Sequence, residues 1–440
     1  MARAKKEAAL TPEERLQAAL VPDWEWPHKL PENWCWLKLV ESFDNHTDSK
    51  KKIKQKDYLA KGKLAVVDQG QELIGGYTND VEKSYSGALP IVIFGDHTRC
   101  IKFADFPFAQ GADGVKVLRP KPFYLPKAFY YALQSVNIPN LGYRRHFPLF
   151  NKFSIPLPPL AEQQRIVDRI ESLFAKLDEA KEKAQAVLDS FETRKAAILH
   201  KAFTGELTAK WREEHGVGMD SWRWIPLKKS GSWCGGGTPS MSRSEYWENG
   251  TLLWVTAKDM KSDLIEDTLM HTNMFGVENS SANYIAQPAV LFVMRSGILR
   301  RTFPVCMVKK PFTVNQDIKA LVPTDNIDLE YLFWGCKANE KRILESCMKN
   351  GTTVESINSA ALRDFEIPIA GSNEQIEIVR ILDAFFAKEQ QTKEAAEIVL
   401  DQIELMKKSI LARAFRGELG TNDPSEESAV ELLKRGLEKK

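Results

Sequence analysis

The sequence repeats itself at an offset of 212 residues, and this repeat limits the possible folds more than any other feature. Residues 162–207 align without a gap with residues 374–419, and 22 of the 46 aligned positions are identical. The match continues upstream, where Phe153-Ser-Ile-Pro156 corresponds to Phe365-Glu-Ile-Pro368. Because self-similarity of this length is the signature of a duplicated structural unit, we predict two copies of one architecture.

A second, weaker similarity marks the start of each copy. Trp34-Cys-Trp36-Leu-Lys-Leu39 resembles Trp222-Arg-Trp224-Ile-Pro-Leu227. Each copy is therefore predicted to contain a tryptophan-marked start, a mixed domain, an extended Phe-x-Ile-Pro segment and a long helix. The predicted divisions are an N-terminal helical segment (1–29), a first domain (30–155), a first long helix (156–216), a second domain (217–365), a second long helix (366–420) and a C-terminal helical tail (421–440).

Each repeated segment carries apolar residues at alternating spacings of four and three, which is the 3.5-residue period of a coiled coil. About 43 residues at 1.5 Å per residue give a helix roughly 65 Å long. The predicted seam residues of the first helix are Ile166, Ile170, Leu173, Leu177, Val187, Phe191 and Ile198. Those of the second helix are Ile378, Leu382, Phe385, Val399, Ile403, Met406 and Ile410.

A single amphipathic helix of this length cannot bury its apolar stripe alone. We therefore predict that the two copies pack on each other, and a two-fold relation between them makes the pair antiparallel, with one domain at either end. The alternative is two unrelated helices, each serving its own domain. Gly205 and Gly417 are placed for helix C-caps, and Pro156-Leu-Pro158-Pro159 precedes the start of the first helix.

The sequence outside the long helices lacks their regular apolar spacing. Residues 60–120 and 222–325 contain short apolar and β-branched runs broken by Gly, Pro, Asn and Asp. Such runs are typical of short strands, for example at 89–94 and 289–294, and residues 337–348 predict a short helix. The predicted fold class is therefore α+β, with two globular domains separated by two long antiparallel coiled-coil helices.

The composition is that of a globular protein, with 43% hydrophobic and 27% charged residues. No stretch reaches the roughly 18 unbroken apolar residues that a membrane span needs. The charged start, Met1 to Glu7, is not followed by an apolar core, so we predict a cytoplasmic protein without a secretory signal. The six cysteines lack metal-knuckle spacing, which predicts free thiols in a reducing compartment.

The sequence contains no recognisable active site. A phosphate-binding loop, an Asn/Asp-Pro-Pro-aromatic methyltransferase element, a His-Glu-x-x-His metal site and a compact Asp…Glu-x-Lys nuclease core are all missing from it. We therefore predict no catalytic, cofactor-binding or metal-binding residues. A chain of 440 residues without any of these motifs is more plausibly a binding protein than an enzyme.

Charge is distributed unevenly between the two domains. The net charge of the chain is +2, but residues 30–155 carry 18 basic and 12 acidic residues, whereas residues 217–365 carry 17 and 16. Proteins that clamp DNA by charge alone usually have a larger excess. If the chain binds DNA, its basic groups are concentrated on one face or a partner supplies part of the phosphate contact.

Three polar motifs leave more than one interpretation open. Gly235-Gly-Gly-Thr-Pro-Ser240 suits either a close approach to phosphate or a tight turn between strands. Phe94-Gly-Asp-His97-Thr-Arg99 suits an acid–base site, a structural turn or a DNA contact through His97 and Arg99. The basic run at 50–56 suits a solvated loop or phosphate contacts by Lys51, Lys52 and Lys54.

Taken together, the motifs resemble one family, that of the DNA specificity subunits of type I restriction-modification systems. The similarity extends from about residue 30 to 420 and depends on the combination of motifs. In the first half these are Phe94 to Arg99, Asp105-Phe-Pro-Phe108, Asp113-Gly114 and Pro156-Leu-Pro-Pro-Leu-Ala-Glu162-Gln163. In the second half they are Trp222 to Trp224, Gly235 to Ser240, Glu245-Tyr246-Trp247, Leu253 to Asp259, and Gly351-Thr-Thr with Ile357-Asn358.

The resemblance implies a non-catalytic protein that reads a split DNA target. One recognition domain reads each half-site, and the helices set the gap between them. It also implies docking of two modification subunits, which use S-adenosylmethionine to methylate adenine, and of two motor-nuclease restriction subunits, which use ATP and Mg²⁺. No cofactor is implied for this chain. The exposed surface of the helices is the expected docking face, and segments 13–16 and 428–433 are expected to pair.

The two halves depart from each other in their motifs. The first half lacks the Gly-Gly-Thr-Pro loop and the second lacks the Gly-Asp-His-Thr turn, so the domains are expected to read different bases. Base contacts require Arg, Lys, Asn, Gln, Ser or Thr in the major groove. The candidates for DNA contact are Lys51, Lys52, Lys54, His97, Arg99, Lys102, Arg144, Arg145, Thr238, Ser240, Arg243, Tyr246, Lys258, Arg295, Arg300, Arg301 and Thr352.

Two other functions are weighed against this one. The chain is alternatively the recognition part of a fused restriction enzyme or methyltransferase, which predicts methyl transfer by the isolated protein. A coiled-coil adaptor without DNA specificity is the other alternative, and it predicts no sequence preference in a selection from random DNA.

Overall fold

The computed structural model describes residues 11–349 and 354–438. None of the helices in these residues is long and apolar enough to cross a membrane. The α-helices are α1 Pro12–Ala19, α2 Pro126–Ser135, α3 Leu160–Asp189, α4 Phe191–Thr204, α5 Ala209–His215, α6 Met274–Glu278, α7 Leu329–Ala338, α8 Glu340–Cys347, α9 Ser359–Asp364, α10 Ser372–Ala414 and α11 Ala429–Glu438.

The strands fall into two sets of nine within the described residues. The first set is β1 Cys35–Lys38, β2 Phe43–Asn45, β3 Leu64–Val67, β4 Gly76–Thr78, β5 Ile91–Gly95, β6 Ile101–Ala104, β7 Phe108–Gln110, β8 Val115–Pro120 and β9 Ser154–Leu157. The second set is β10 Arg223–Pro226, β11 Gly231–Gly235, β12 Leu252–Val255, β13 His271–Thr272, β14 Ala289–Val293, β15 Val305–Val308, β16 Phe312–Val314, β17 Ile318–Pro323 and β18 Glu366–Ile369.

The two sets have the same sheet topology. The first domain contains sheets ordered β1-β9, β2-β8-β5-β6 and β4-β3-β7. The second contains β10-β18, β11-β17-β14-β15 and β13-β12-β16, so every strand has a counterpart in the same place. Strand β3 runs parallel to β7, and β12 runs parallel to β16, while the other pairs are antiparallel. The duplication predicted from the helices therefore includes the domains, and the predicted α+β class is confirmed.

The first and last strands of each domain pair with each other. Trp36 lies opposite Pro156 in the β1–β9 pair, and Trp224 lies opposite Pro368 in the β10–β18 pair. The tryptophan-marked start and the Phe-x-Ile-Pro segment, which lie far apart in the sequence, are thus the two edges of one ribbon. This ribbon closes each domain. Its second strand, β9 or β18, leads directly into the long helix α3 or α10.

The sequence located the most buried strands but missed several helices of the domains, among them α2 and α7. The runs at 89–94 and 289–294 correspond to β5 and β14, whose residues are all buried. The helix predicted at 337–348 corresponds to α8, but the preceding helix α7 was not predicted. Six of its ten residues are buried, and an apolar run that is buried on most sides has no clear helical period.

The chain divides into two compact units. One contains the residues up to 185 together with those from 397 onward, and the other contains residues 186–396. In the first unit, α3 packs beside the second part of α10, where Lys181 contacts Glu404 at 2.8 Å and Asp178 contacts Lys407 at 2.5 Å. Residue numbers rise along one helix as they fall along the other, so the pair is antiparallel.

The second unit contains the equivalent pair, α4 and the first part of α10. Arg194 there makes a bidentate ion pair with Glu389, with the closest N–O distance 2.6 Å. Lys195, the next residue of α4, lies 5.7 Å from the centroid of the Phe386 ring, so residue numbers again rise along one helix as they fall along the other. The antiparallel pairing predicted from the repeat is therefore present in both units, and the alternative of two unrelated helices is not.

Most of the predicted seam residues are at least half-buried, and two are exposed. Ile166, Ile170, Ile378, Leu382 and Ile403 are buried, and Leu173, Leu177, Val187, Phe191, Ile198, Phe385 and Ile410 are half-buried. Val399 is 39% exposed and Met406 is 49% exposed. An α-helix has 3.6 residues per turn, so a strict 3.5-residue ladder drifts around it. Residues 400, 407 and 411 of α10 lie on the inner face instead.

The ends of the long helices have the predicted caps. Gly205 follows α4 with φ of +83°, and Gly417 follows α10 with φ of +77°. The first copy differs from the second by a break at Ser190, whose hydroxyl donates to the carbonyl oxygen of Ala186 at 2.7 Å. A serine that bonds back to the preceding turn bends a helix. The first copy is therefore two helices and the second is one.

A buried glutamate at the start of each long helix joins it to neighbouring elements. Glu162 accepts from the indole N–H of Trp34 at 2.7 Å and from the Asn422 amide at 2.8 Å. Glu374 accepts from the indole N–H of Trp222 at 2.9 Å and from Arg212 at 2.5 Å. These contacts explain why the tryptophans and the glutamates recur in both copies.

The N- and C-terminal segments belong to the first unit. Helices α1 and α11 pack against each other, with Ala19, Ala429 and Leu433 buried in the same core. The segments 13–16 and 428–433, which were expected to pair, lie in or next to these two helices. Their packing adds the tail of the chain to the core of the first domain.

Candidate nucleic-acid interface

Strand direction gathers several loops at one edge of the first domain. Strands β2 and β5 both run antiparallel to β8, so their C-termini lie beside the start of β8. Strands β3 and β7 run parallel to each other, so their C-termini also lie side by side. These four C-termini and the start of β8 share one edge of the domain. We call the loops at this position the first loop edge, which comprises residues 46–54, 68–75, 96–100 and 111–114. The basic run and the Gly-Asp-His-Thr turn, distant in sequence, both lie on it.

Hydrogen bonds connect the loops of the first loop edge. The backbone N–H of Asp96 donates to the Gly114 carbonyl at 2.6 Å, and that of His97 donates to the Gln69 side chain at 3.2 Å. The N–H of Asp48 donates to the Gln110 side chain, also at 3.2 Å. Each loop is thus bonded to a neighbour, which favours a shaped surface over independent mobile segments.

The predicted lysines of the basic run occupy this edge but differ in their freedom. Lys54 is exposed and Lys52 is half-buried. The ammonium of Lys51 donates to the Ser84 carbonyl oxygen at 3.1 Å, which leaves it two further donors. Lys54 is therefore the most accessible of the three, and their phosphate contacts stay a prediction.

A further loop, residues 139–146, joins the first loop edge through Asp96. This carboxylate is buried and accepts the backbone N–H groups of His146 at 2.8 Å and Phe147 at 2.7 Å. Arg144 and Arg145 lie in the exposed part of the loop, and no hydrogen bond or ion pair of their side chains occurs within the described residues. Asp96 is therefore a structural anchor, and the acid–base interpretation of its motif is wrong.

Two candidates of the first domain have charged groups that are bonded to the protein itself. Lys102 is 5% exposed, with its ammonium bonded to the Glu72 carbonyl and 3.5 Å from Asp68. Burial lowers the pKa of Lys102, and the charge of Asp68 opposes that shift. Arg99, at φ +62°, donates to the Ile138 carbonyl at 2.9 Å and lines a groove with Lys407 of α10. The prediction for Lys102 is wrong because alternation along β6 buries its side chain. Arg99 is half-buried, and its contact with DNA stays a prediction.

The second domain has an equivalent edge built from different residues. We call residues 236–243, 256–263, 294–300 and 315–317 the second loop edge, since they follow β11, β12, β14 and β16. Thr238 donates to Gln316 at 2.8 Å, and the backbone N–H of Asn315 donates to Val255 at 3.0 Å. The candidates Thr238, Ser240, Lys258 and Arg295 are thereby brought onto one surface.

The glycine-rich loop of this edge is explained by close packing. A Cβ atom on Gly236 would lie 1.9 Å from the Val314 carbonyl oxygen, and one on Gly237 would lie 2.0 Å from the Ser281 hydroxyl. No side chain fits at either position. Of the two interpretations, the structure favours a tight passage between strands, which places Thr238 and Ser240 at the surface.

Arg243 and Tyr246 form a pair in which only the arginine is accessible. Tyr246 is 3% exposed, and its ring packs edge-on against Phe275. Its hydroxyl accepts from Arg243 at 3.0 Å, and the guanidinium lies 5.5 Å from the ring centroid. The prediction of Tyr246 as a base contact is therefore wrong, because the ring is buried. Its hydroxyl instead holds the Arg243 guanidinium in place.

The remaining arginines separate into two groups. Arg295 is bonded to Asp317 at 2.9 Å and Arg300 is bonded to Glu355, yet both stay more than half exposed. The bond from Arg300 lowers the pKa of Glu355. Arg301 instead lines a groove beside α4 with Lys195, so its assignment to the DNA surface is corrected. Thr352 lies outside the described residues.

The cysteines of the described residues show no reactive arrangement. All six are unbonded, and burial raises the pKa of Cys35 and of Cys306 to about 12. Within residues 11–349 and 354–438, no group of three His, Cys, Asp or Glu side chains could hold a metal ion.

Sequence comparison relates the chain to one family. A family described as "Type I restriction modification DNA specificity domain" matches residues 31–188 and 234–399. The chain is similar to the type I restriction enzyme EcoR124I/EcoR124II specificity subunit of Escherichia coli, with 30% identity over 390 residues, 85% of this chain and 91% of that protein. It is also 28% identical over 181 residues to the MjaIX specificity subunit of Methanocaldococcus jannaschii, covering 40% and 41% of the two chains.

Solved structures give the same relation at the level of fold. The HsdS subunit from Thermoanaerobacter tengcongensis superposes with a TM-score of 0.56 at 19% identity, covering 90% of this chain and all of that one. A chain from a study of assembly and conformational transition of the type I R-M system superposes with a TM-score of 0.64, also at 19% identity, covering 89% and 100%.

Proposed function

Because the chain belongs to the type I restriction-modification DNA specificity family, we propose that it is a non-catalytic subunit that reads a two-part, asymmetric DNA target. The first loop edge contacts one half-site and the second loop edge contacts the other. Exposed Lys and Arg side chains bind phosphates, and the shorter polar side chains and selected arginines contact base edges.

One observation carries this proposal. The two domains have the same strand order and the same ribbon between first and last strands, while their loop edges share almost no residues at equivalent positions. A protein that bound one continuous symmetric site would need matching loops. Matching frames with different loops support two different half-sites.

The proposal includes a spacer role for the long helices and docking of partner subunits. An exposed apolar row on α10 supports docking, since Ile398, Val399, Leu405 and Met406 are 39–63% exposed. Exposed apolar groups that cluster along one helix favour protein contact. The proposed partners are two modification subunits with S-adenosylmethionine and two motor-nuclease subunits with ATP and Mg²⁺.

A selection from randomised duplex DNA tests the proposed function. The full-length chain is incubated with a modification subunit, and bound duplexes are sequenced. We expect two short, unlike motifs separated by a fixed gap. Deleting seven residues from each long helix is expected to change the gap and leave both motifs intact. Bound duplexes without any common motif would instead support the coiled-coil adaptor.

A methylation assay separates the proposal from the enzyme alternative. The isolated chain is mixed with labelled S-adenosylmethionine and the duplexes recovered from the selection. We expect no label in DNA until the modification subunit is added. Label transferred by the isolated chain would establish a fused methyltransferase.

A further inference from the structure

An exposed aromatic side chain projects beside the first loop edge. Tyr143 is 87% exposed, and all residues of the segment 139–145 are exposed. Its ring stacks on the ring of His97, with 4.9 Å between the centroids and 16° between the planes. Tyrosine is favoured at binding surfaces because it offers a large rigid contact area and a polar tip.

The base of this segment is fixed by buried polar groups. Asp96 accepts two backbone N–H groups there, and His146 is fully buried. The Nδ1 atom of His146 donates to the Asp96 carbonyl at 2.8 Å, and its Nε2 atom accepts from the Leu141 N–H at 3.1 Å. Gly142 turns the chain at φ +67° between these anchors. Tyr143 is therefore presented from a rigid support.

The contact between His97 and Tyr143 fixes the His97 tautomer. Its Nδ1 atom lies 3.2 Å from the Tyr143 carbonyl oxygen, which can only accept a hydrogen bond. Nδ1 of the neutral ring must then carry the proton, which leaves Nε2 as an acceptor. Within the described residues, no protein group bonds to Nε2 of His97.

An acceptor at this position discriminates between bases. In the major groove, only adenine and cytosine present an amino group, at N6 and N4, whereas guanine and thymine present acceptors there. A neutral imidazole whose Nε2 faces the groove therefore accepts from the first pair and meets lone pairs on the second. Arg144 and Arg145 follow Tyr143 in the same exposed segment, where they are accessible for phosphate contact.

We propose that His97 and Tyr143 form a base-reading pair, in which His97 accepts from the amino group of an adenine or cytosine and Tyr143 holds its ring in place. The inference rests on the proposed function, since it names a contact within the first half-site. The described residues of the second domain contain no counterpart, because α8 and α9 occupy the chain between α7 and β18 where this segment lies in the first.

Selections with the full-length chain and a modification subunit test this assignment. The wild type is compared with His97→Ala, Tyr143→Ala and Tyr143→Phe. We expect adenine or cytosine at one position of one half-site in the wild type. In His97→Ala and Tyr143→Ala, the enrichment at that position is expected to fall about tenfold, the equivalent of about 1.4 kcal/mol. Tyr143→Phe keeps the ring and the carbonyl, so it should keep the preference.

Two controls accompany these variants. Trp24→Ala removes another exposed ring of the same unit, 84% exposed, which lies away from the first loop edge, and it should leave every position unchanged. The second half-site is an internal control, because neither His97 nor Tyr143 belongs to the second domain. Tyr143 is too exposed for its truncation to unfold the first domain.

An atom-specific probe then tests the hydrogen bond itself. In the recovered duplex, the selected adenine is replaced by purine, or the selected cytosine by 2-pyrimidinone, which removes only the amino group. Binding by the wild type is expected to weaken about tenfold, whereas His97→Ala is expected to bind both duplexes equally. A merely structural role of His97 would leave both proteins equally sensitive to the missing group.

The outcomes separate the two proposals. Unchanged motifs in both His97→Ala and Tyr143→Ala, or guanine or thymine at the position that these variants affect, would overturn the base-reading pair while leaving the two-part target in place. A wild-type selection without any two-part motif would overturn the proposed function itself.

Discussion

The two domains have the same framework of strands, which we call the frame, and differ in their loops. Nine strands of each have the same order, and the same ribbon joins their first and last strands. Their loop edges, in contrast, use a histidine–tyrosine stack and lysines in the first domain, and arginines bonded to carboxylates in the second. The difference teaches that the shared strands fix where a loop lies, while the residues of the loop are free to vary. In the proposed function, these residues determine which bases each domain contacts.

The largest expected effect concerns the frame of the second unit. Glu374→Ala leaves the 9%-exposed Arg212 guanidinium without its carboxylate and the Trp222 indole without its acceptor. Removing one partner of a buried ion pair costs about 3–5 kcal/mol. Denaturant unfolding of the purified chain should show this loss of stability.

The equivalent change in the first unit sharpens the comparison. Glu162→Ala removes an acceptor from Trp34 and Asn422, which are neutral groups, so the expected cost is about 1–3 kcal/mol. Equal losses of unfolding free energy in the two variants would contradict the view that the Arg212 charge distinguishes the contacts of Glu374 from those of Glu162.

The second expected effect concerns the helix seam in α10. Ile403 is 3% exposed, so Ile403→Ala should lower the free energy of unfolding by about 2–5 kcal/mol. Met406→Ala is the matched control, since its side chain is 49% exposed and its loss should cost less than about 0.5 kcal/mol. A larger loss of stability in Met406→Ala than in Ile403→Ala would instead support the strict 3.5-residue seam. A loss of partner binding in Met406→Ala would identify the docking face.

A third effect is confined to the second loop edge. Arg295→Gln should relax base preference in the second half-site and weaken binding by about 1–3 kcal/mol, because glutamine lacks the guanidinium fork. Arg301→Gln is the control, as Arg301 lies in the groove beside α4. Competition binding with single-base variants of the target measures both, and an altered first half-site in Arg295→Gln would argue against independent domains.

The smallest effect concerns Arg144 and Arg145 of the first domain, which we propose to bind phosphates. Arg144→Gln and Arg145→Gln each remove one positive charge, so each should reduce the slope of log K against log salt by about 0.9, and binding should weaken equally for every DNA sequence. Lys127→Gln is a suitable control, because Lys127 on α2 pairs with Glu171 at 2.9 Å. If the arginine variants changed base preference and left the slope intact, these arginines would be base readers.

The sequence predicted the frame well where periodicity or repetition carried the information. The repeat located both long helices and their antiparallel pairing, and the tryptophan and Phe-x-Ile-Pro motifs located the strands that close each domain. The prediction failed at Val399 and Met406, where a small drift of helical phase turned apolar residues toward solvent. The helix α7 was missed because its apolar residues have no clear period.

The loop edges were less predictable, since residue type does not reveal direction. Lys102 and Tyr246 have the chemistry of DNA contacts, but strand alternation and packing bury both. Tyr143 was overlooked, although an aromatic residue directly before two arginines was a usable signal. The anchor made by Asp96 and His146 depends on contacts between residues 50 positions apart, which a single sequence does not show.

A domain graft tests the central claim most directly. Residues 223–369 are replaced by residues 35–157, so that equivalent first and last strands form the junctions. Selection from randomised DNA with a modification subunit should then recover a target with two copies of the first half-site and none of the second. Recovery of the original asymmetric target, with the second half-site retained, would contradict the account that each domain reads its own half-site.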